Sequence, residues 1–555
     1  MNDQLFVIAI GGTGMRCLES FVHLCAIGMF DNQEINVLTL DTDQTNGNKE
    51  RVELLINYYN RIKSDKVQDI DGGSPNTNTF FSAKINLFKF WTDYSTPARQ
   101  NYVALSRIGE GSDEEVIRQN TDLSNLFLDK ATVQQFNLAH GYRAQTHLGS
   151  HLMYHGIIES ARRKLAGGVN VKPEDKDLDN FLDMLSQASA HARVFVFGSV
   201  FGGTGASSIP IIPVAMRDAV SIRSNGKSSL ALDKVKFGST LLTEYFSFPN
   251  PDARQMAKDK VIANSDFFAL NSQAALHFYQ ADPTVKQCYR RLYHIGWPLT
   301  SKPISDVQEG DTITGGHEQK NNCHVVELMC ACAAYDFFTT ESFPENKTNA
   351  NYVYRSVERN QNVFDFNGGD FVSEHGDQFA NKLGAFLSMS HIVLGLNGAS
   401  SGNKGTKAFL DRLKDNNRAN YNIDDIQLEE IDKYLQMFAY SVENGKLQRG
   451  WLYQIYNTVK PGKLIFRPTA FEEKIDSLSK IEPGTLFDDD KHNWDAKGGF
   501  MHSTSTAQYN QLIKILTDND DSMPSKEQNA NTTKEKFLAH VYNAITIAQK
   551  FNIKN

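Results

Sequence analysis

The stretch "ARVFVFGSVFGGTGASS", residues 192–208, places the strongest constraint on the fold of this chain. Residues 194–197 form a run of aromatic and β-branched residues, the pattern of a strand that is buried on both faces. Closely spaced glycines follow, and small residues then lead into an expected helix. A buried strand, a glycine-rich turn and a helix in this order are typical of a parallel sheet covered by helices.

The same order recurs along the first half of the chain. "QLFVIAI" is followed by "GGTG" and a helical pattern, while "INVLTL", "KFGSTLLTEYF" and "RRLYHIGW" indicate further strands. We therefore predict an α/β fold, a Rossmann-like parallel sheet with helices on both faces, over residues 1–318. Residues 52–130 are polar and rich in turn residues, so we expect an insertion with some helix there.

A strongly apolar segment follows this region. "KNNCHVVELMCACAAYDFF" predicts a buried central helix, which we assign to residues 319–340. Beyond it the chain becomes polar and turn-rich and then returns to helical patterns. We expect a second, α+β or helical domain at residues 341–555, ending in the amphipathic helix "EKFLAHVYNAITIAQKF".

Composition limits the partners and the compartment. The 555 residues carry a formal net charge of −8, and Lys and Arg are scattered among acids, which argues against nucleic acid as a partner. The six cysteines lack a disulfide-type spacing and fit a reducing compartment. The start "MNDQLFVIAI" has no basic signal region, and no apolar run approaches the ~20 residues of a membrane helix. We expect a cytoplasmic protein without membrane insertion.

Two glycine-rich turns predict phosphate binding. Bare backbone lets a phosphate approach closely, and the free N–H groups of a following helix attract an anion. One turn alone also fits a dinucleotide fold, in which Asp41 at the end of the next strand would bind a ribose. Two turns suit a triphosphate held from both sides, with Mg²⁺ and backbone amides in place of a P-loop lysine. The glycines concerned are Gly11, Gly12, Gly14, Gly202, Gly203 and Gly205.

The second turn, "FGGTGAS", resembles the signature of the tubulin and FtsZ superfamily of GTP-binding proteins, GGGTGS or GGGTGT after the fourth strand. Phe201 stands here at the first glycine of that signature. "IGGTGMR" is similar to the family's first loop, "LDTDQT" to its second, "GYRAQTHLGSHLMY" to its third and "LLTEYFSFP" to its fifth. The motifs follow the family order over roughly the first 340 residues, and the chain resembles divergent bacterial members more than FtsZ itself.

The resemblance implies a site for GTP or GDP with Mg²⁺, in which Asp41 and Asp43 approach the metal. Glu244 is the acid nearest to the ribose, because Pro249 stands where FtsZ has a carboxylate. Asn321 and Asn322, in the expected first turn of the central helix, would contact the guanine base, although both also suit capping or solvated positions. The glycine loops implied to bind the nucleotide contain Gly11, Gly12, Thr13, Gly14, Asp41, Thr42, Asp43, Gly141, Arg143, Ala144, Gly149, Gly202, Gly203, Thr204, Gly205, Ala206 and Ser207.

GTP hydrolysis in this family is completed in trans by acids in a loop after the central helix. The family string is absent here, and the nearest equivalent is "FDFNGGDF", with Asp365 and Asp370 as catalytic candidates. The same letters are typical of an exposed loop. The sequence alone therefore does not decide whether the protein hydrolyses GTP.

Two groups of metal-ligating residue types also occur. The first is a helical stripe of histidines, for which positions beside the phosphate loop or at the edge of the core are favoured over a zinc site. The second lies in the apolar central helix, where core packing is favoured. The residues are His147, His151 and His155, and Cys323, His324, Glu327 and Cys330.

Three function classes follow from these observations. The first is a GTP-binding protein that assembles head-to-tail into filaments with the nucleotide between subunits. The second is a non-polymerising GTP-binding switch or scaffold, with partner proteins bound through the segments 52–130 and 341–555. The third is a Rossmann NAD-dependent oxidoreductase, which would leave the second glycine turn without a role.

Overall fold

The computed structural model of the chain describes residues 3–64, 72–92, 146–167, 171–250, 263–297, 315–343, 351–356, 428–443, 446–458 and 518–550, with shorter pieces between these ranges. Its core is a sheet of seven strands, every adjacent pair of which is parallel. The strands are β1 (Gln4–Ile10), β2 (Glu34–Asp41), β3 (Lys84–Trp91), β4 (Ala192–Phe197), β5 (Lys236–Leu242), β6 (Tyr289–Gly296) and β7 (Asn351–Ser356). They lie in the order β3-β2-β1-β4-β5-β6-β7, so the predicted α/β class with a parallel sheet is confirmed.

Helices connect and cover these strands. Within the described residues, no helix is both long enough and apolar enough to cross a membrane. The helices are α1 (Gly11–Ala26), α2 (Gly47–Ile62), α3 (Thr146–Ala166), α4 (Pro173–Ala188), α5 (Thr204–Ser208), α6 (Ile212–Arg223), α7 (Phe268–Ala281), α8 (Pro283–Cys288), α9 (Val325–Thr339), α10 (Glu429–Phe438), α11 (Trp451–Thr458) and α12 (Thr533–Lys550).

The sheet has an apolar layer on each face. Side chains alternate along a strand, so in β1 Phe6 and Ile8 face one layer while Leu5 and Val7 face the other. The first layer contains α3, α4 and α6, and the second contains α1, α2 and α9. Two covered faces explain why all six residues of β4 are buried, as its unbroken apolar run predicts.

The segment 52–130, predicted as an insertion with some helix, contains helix and also a strand of the main sheet. Helix α2 occupies its beginning, and β3 pairs with β2 along eight residues, from Glu34 opposite Lys84 to Asp41 opposite Trp91. The sequence "KINLFKFW" hides this strand because polar residues interrupt its apolar pattern, as is common in a half-covered edge strand. Most of residues 93–130 lies outside the described residues.

The predicted central helix corresponds to α9, which starts later than expected. His324 caps its first turn, where its Nδ1 accepts a hydrogen bond from the Val326 N–H, 3.2 Å away. At the other end, the Arg193 guanidinium donates to the carbonyls of Phe337, Phe338 and Thr340 at 3.0, 3.1 and 2.6 Å. These bonds satisfy carbonyls that a helix end leaves unpaired, so α9 is fixed at both ends.

A buried ion pair joins α9 to α1. The Arg16 Nε lies 2.6 Å from the Glu327 Oε1, and the two side chains are 4% and 0% exposed. The Tyr245 hydroxyl, in the loop after β5, donates to the same oxygen at 2.5 Å. Burial raises the pKa of Glu327, while the Arg16 charge and the hydrogen bonds oppose that rise.

The described residues near the C-terminus pack on the side of the sheet that holds α1 and α2. The Trp451 Nε1 donates to the Ser20 hydroxyl at 2.8 Å, and the Lys63 Nζ lies 3.4 Å from the Glu535 carboxylate. Strand β7 extends the main sheet, although it falls within the segment 341–555 that is expected to form a second domain. These parts of the chain therefore continue the core of the α/β domain.

Replacing Glu327 by alanine leaves the buried Arg16 charge without its carboxylate. We expect the free energy of unfolding to fall by about 3–5 kcal/mol, because a buried pair broken from one side leaves an uncompensated charge. Urea unfolding followed by circular dichroism measures this loss. The control is Glu50→Ala, which removes a carboxylate that is 56% exposed and should change stability only slightly. Equal effects of the two substitutions would contradict the assignment.

Candidate functional site

The predicted binding residues meet at the carboxyl edge of the sheet. Chain connections leave β1 toward β2 on one side, and β4 lies on its other side, so the strand order reverses beside β1. In open parallel sheets this reversal creates a crevice outside the strand ends, where ligands bind. The turns after β1, β2, β4 and β5 border this crevice.

The first glycine turn runs directly from β1 into α1. Gly11 has a φ of +67°, which a side chain rarely adopts. A Cβ added to Gly14 would lie 2.6 Å from the Phe197 carbonyl oxygen, so only glycine lets α1 lie this close to β4. Gly12 and Thr13, between them, are half-buried. The first turn of α1 has no side-chain cap, which leaves its N–H groups available to an anion.

The second glycine turn contacts the first. A Cβ added to Gly11 would lie 3.1 Å from the Thr204 Cβ, at the start of α5. Gly205 is equally constrained, since its added Cβ would meet the Ser199 carbonyl oxygen at 2.7 Å. Gly202 is more open and approaches only the Ser199 hydroxyl. The other predicted residues of this turn cap α5 or belong to it: Gly203, Ala206 and Ser207.

The predicted third loop reaches the same place through the start of α3. A Cβ added to Gly149 would lie 2.7 Å from the Ser207 hydroxyl oxygen. The Ser150 hydroxyl donates to the Ser207 carbonyl at 2.7 Å, which holds α3 against α5. Ala144 has a φ of +65°, a strained conformation for alanine. Two predicted residues of this loop lie outside the described residues, Gly141 and Arg143.

The turn after β2 carries a buried carboxylate with one unused oxygen. The Asp41 Oδ1 accepts from the N–H groups of Thr42 and Asp43 at 2.7 and 3.3 Å. The Asp41 Oδ2 and the Thr42 hydroxyl are buried without a hydrogen-bond partner among the described residues. Burial, followed by the charge of Asp43, raises the pKa of Asp41 to about 7. An orphaned buried carboxylate oxygen is suited to an incoming cation or donor.

Asp43, by contrast, is already occupied by protein groups. Its Oδ1 accepts from the Thr45 N–H and hydroxyl, each at 3.0 Å, and its Oδ2 accepts from the Gly316 N–H at 2.6 Å. Within the described ranges, no group of three or more His, Cys, Asp or Glu could hold a metal. Mg²⁺ usually takes one or two protein carboxylates and completes its shell with phosphates and water. Asp41 fits that role better than Asp43 does.

Side-chain amides form a cluster beside the first glycine turn. The Asn46 Nδ2 donates to the Gln319 Oε1 at 2.7 Å, and the Asn48 Nδ2 donates to the Asn321 Oδ1 at 2.8 Å. A Cβ added to Gly12 would lie 3.4 and 3.5 Å from the Nδ2 atoms of Asn46 and Asn48. The pattern "TNGNKE" signals only the start of α2, so the sequence gives no hint of the partners of Asn46 and Asn48.

The position of Asn321 and Asn322 differs from the expected one. Both precede α9, which begins at Val325, so neither lies in its first turn. The Asn321 N–H donates to the Asn48 Oδ1 at 3.0 Å, and the Arg16 guanidinium donates to the Asn322 carbonyl. The segment thus borders the site through its backbone and through the amide pair.

The loop after β5 and helix α7 both pack against the second glycine turn, and the Phe246 ring of the loop lies 5.4 Å from the Phe201 ring. The rings of Phe201 and Phe268 lie 4.8 Å apart, and the Asn271 Nδ2 donates to the Phe201 carbonyl at 3.3 Å. Glu244 accepts a hydrogen bond from the Ser272 hydroxyl at 2.5 Å. Glu244 therefore has one partner on α7 and lies at the border of the crevice. The expected catalytic residues Asp365 and Asp370 lie outside the described residues.

The histidine stripe lies at the surface of α3, where His147 and His151 are exposed and His155 is half-buried. The rings of His151 and His155 lie 4.4 Å apart on α3. Partial desolvation, with the neighbouring His155, lowers the pKa of His151 to about 4, so it is neutral at pH 7. Cys323, just before the central helix, accepts a hydrogen bond from Arg51, and Cys330 within the helix is buried as a free thiol.

No protein-family model matches the chain, and neither the search of curated proteins nor that of solved structures finds a match. The function is therefore inferred from the chain's own residues.

Replacing Asp41 by asparagine tests its environment. The ordinary pKa of 3.8 rises to about 7 in the fold, so the folded chain binds a proton that the unfolded chain has lost between these values. The contribution of Asp41 to stability therefore falls as pH rises from about 4 to 7 and stays low above it. We expect Asp41→Asn to be more stable than the parent at pH 8, by on the order of 1–4 kcal/mol, and similar at pH 4.

Thermal or urea unfolding of both proteins at pH 4 and pH 8, without added cations, measures this difference. The control is Asp43→Asn, which keeps one acceptor oxygen but turns an NH2 group toward either the Thr45 or the Gly316 N–H, and should destabilise at pH 8. An Asp41→Asn protein that is less stable than the parent at pH 8 would show that the carboxylate is needed by the fold.

Proposed function

We propose that the chain binds GTP or GDP with Mg²⁺ at the carboxyl edge of its sheet and resembles tubulin-type proteins in this respect. The contact between the two glycine turns, Gly11 against Thr204, is the observation that carries the proposal. It brings two segments of bare backbone together at the reversal of strand order, where an extended polyphosphate can meet N–H groups from both sides.

The residues around the crevice suit separate parts of such a ligand. The phosphates would lie on the turns that contain Gly12 and Gly202, next to the hydroxyl of Thr204. Mg²⁺, when bound, neutralises phosphate charge, and the free oxygen of Asp41 would hold it. Asn46 and Asn48 are buried and hydrogen-bonded to Gln319 and Asn321, so they would shape the wall of the crevice beside the phosphates.

The Rossmann oxidoreductase remains a second candidate for one specific reason. Asp41 stands at the end of β2, where dinucleotide folds place the acid that binds the ribose. Against it, a pyrophosphate needs only one glycine turn, and two lie in contact here. Analysis of the nucleotide released from gently purified protein distinguishes the two, because a nicotinamide or flavin signal would exclude the GTP proposal.

Filament assembly and GTP hydrolysis are proposed because of the resemblance to tubulin and FtsZ. Head-to-tail contacts would place the nucleotide between subunits, and Asp365 and Asp370 would act on the attacking water of the neighbouring site. The alternative is a GTP-binding switch or scaffold that binds partner proteins without forming polymers. Both share the same crevice and differ in what the bound nucleotide causes.

Gly202→Asp tests phosphate binding at the second turn. A Cβ at this position meets only the Ser199 hydroxyl, at 3.2 Å, so the fold has room for a small side chain. A carboxylate there would repel phosphate, and we expect the affinity for a fluorescent GTP analogue to fall at least about tenfold, or ~1.4 kcal/mol. Gly202→Asn, equal in size and uncharged, is the control and should lose much less. Equal affinities for the two variants would place the phosphates elsewhere.

Light scattering with GTP and with GDP, recorded together with phosphate release, tests assembly and turnover. We expect scatter to grow with GTP alone, because the γ-phosphate would complete the contact between subunits. Asp365→Asn and Asp370→Asn should slow phosphate release at least about tenfold while nucleotide binding persists. Binding without any growth in scatter would favour the switch or scaffold.

A further inference from the structure

Helix α7 has a composition unlike that of the rest of the chain. Residues 267–281, "FFALNSQAALHFYQA", contain no Asp, Glu, Lys or Arg, whereas 22% of the whole chain is charged. A helix on the surface of a soluble protein normally presents charged side chains to water. The composition of α7 therefore suits contact with protein better than contact with solvent.

Most of the apolar side chains of this helix point outward. Only Phe268, Ser272 and Tyr279 are buried. On the opposite side, Phe267 is 56%, Leu270 60% and Phe278 53% exposed, and these are among the large apolar residues that the chain exposes most. Ala274 and Ala281 are exposed on the same side. Together these five residues form the outer stripe: Phe267, Leu270, Ala274, Phe278 and Ala281.

Spacings of three and four residues align the outer stripe along one side of the helix. Such a stripe, flanked by polar residues, is typical of a surface that binds another protein. Its flanks are uncharged and include Gln273, His277 and Gln280, each exposed. Two chains that each carry a net charge of −8 repel each other in general, but this helix adds no charge to that repulsion.

We propose that the occupant of the outer stripe is the same stripe of a second copy, related by a two-fold axis at Ala274. When two α7 helices run antiparallel about that axis, Phe267 lies opposite Ala281 and Leu270 lies opposite Phe278. The Phe267 ring then meets the small Ala281 side chain, and the Phe278 ring meets Leu270. The Ala274 pair at the axis lets the two helix backbones approach each other. An isologous contact requires this kind of self-complementary pattern.

The size of the stripe limits the affinity. Half-exposed Phe and Leu side chains contribute roughly 100 Å² each, so three of them supply about 300 Å² per copy. Stable interfaces bury about 800 Å² per partner. We therefore expect a weak dimer. An isologous contact closes on itself and so differs from the head-to-tail contact of a filament, which makes this dimer an addition to the proposed function.

Sedimentation equilibrium of the full chain over a range of concentrations, without added nucleotide, tests the proposal. The parent should show a monomer–dimer equilibrium, and Leu270→Glu should weaken it at least about tenfold by placing like charges beside the axis. The control is Leu165→Glu, because Leu165 is 47% exposed on α3, away from the stripe. Unchanged binding of the fluorescent GTP analogue by Leu270→Glu would keep this result separate from the nucleotide proposal.

Cysteine cross-linking locates the axis. All six native cysteines are buried, so a cysteine introduced on the surface is the accessible thiol. Under mild oxidation, Ala274→Cys should give a covalent dimer in high yield, and the control Leu165→Cys should not. A parent that stays monomeric throughout, a dimer unaffected by Leu270→Glu, or equal cross-linking of both cysteine variants would each overturn the proposal, including the case in which the stripe binds a different protein.

Discussion

A buried ion pair between Arg16 and Glu327 fixes three segments beside the candidate site. Two charges removed from water are costly, and only close contact with further hydrogen bonds, such as the one from Tyr245, offsets that cost. The pair connects three segments: the helix after the first glycine turn, the loop after β5 and the central helix. A shift of any one of them would leave a charge uncompensated in the core, so the three are held in a single arrangement.

Local patterns in the sequence predict much of this fold. Apolar runs locate β1, β2, β4, β5 and β6, and the glycine turns after β1 and β4 meet because carboxyl ends of neighbouring parallel strands share one edge. The strand with lysines at Lys84 and Lys89 is missed, since an edge strand carries polar residues on its less covered side. A covered strand can be predicted from its apolar composition alone. An edge strand is recognised only when its pairing with a neighbouring strand is known.

Several contacts of the candidate site join residues that are far apart in the chain, and the local sequence does not predict them. Asp41 and Asp43 are the same residue type two positions apart. Asp41 keeps one oxygen without a hydrogen-bond partner among the described residues, whereas both oxygens of Asp43 accept hydrogen bonds, from Thr45 and Gly316. Nothing near Asp43 in the sequence indicates a partner 273 residues away. The partner of Asn48 is equally remote, and the late start of α9 follows from the His324 cap rather than from its apolar pattern.

The hydrogen bond from the Gly316 N–H to Asp43 also determines when the crevice can be completed during synthesis of the chain. A ribosome that adds ~5–20 residues per second needs roughly 15–55 s to make the 273 residues between these two positions. Until Gly316 has emerged, the Asp43 carboxylate and the turn after β2 lack the segment that fixes them, even if the strands beside them have paired. The crevice is thus completed late, when most of the sheet already exists, and a nascent chain cannot present a finished site to a ligand before that point.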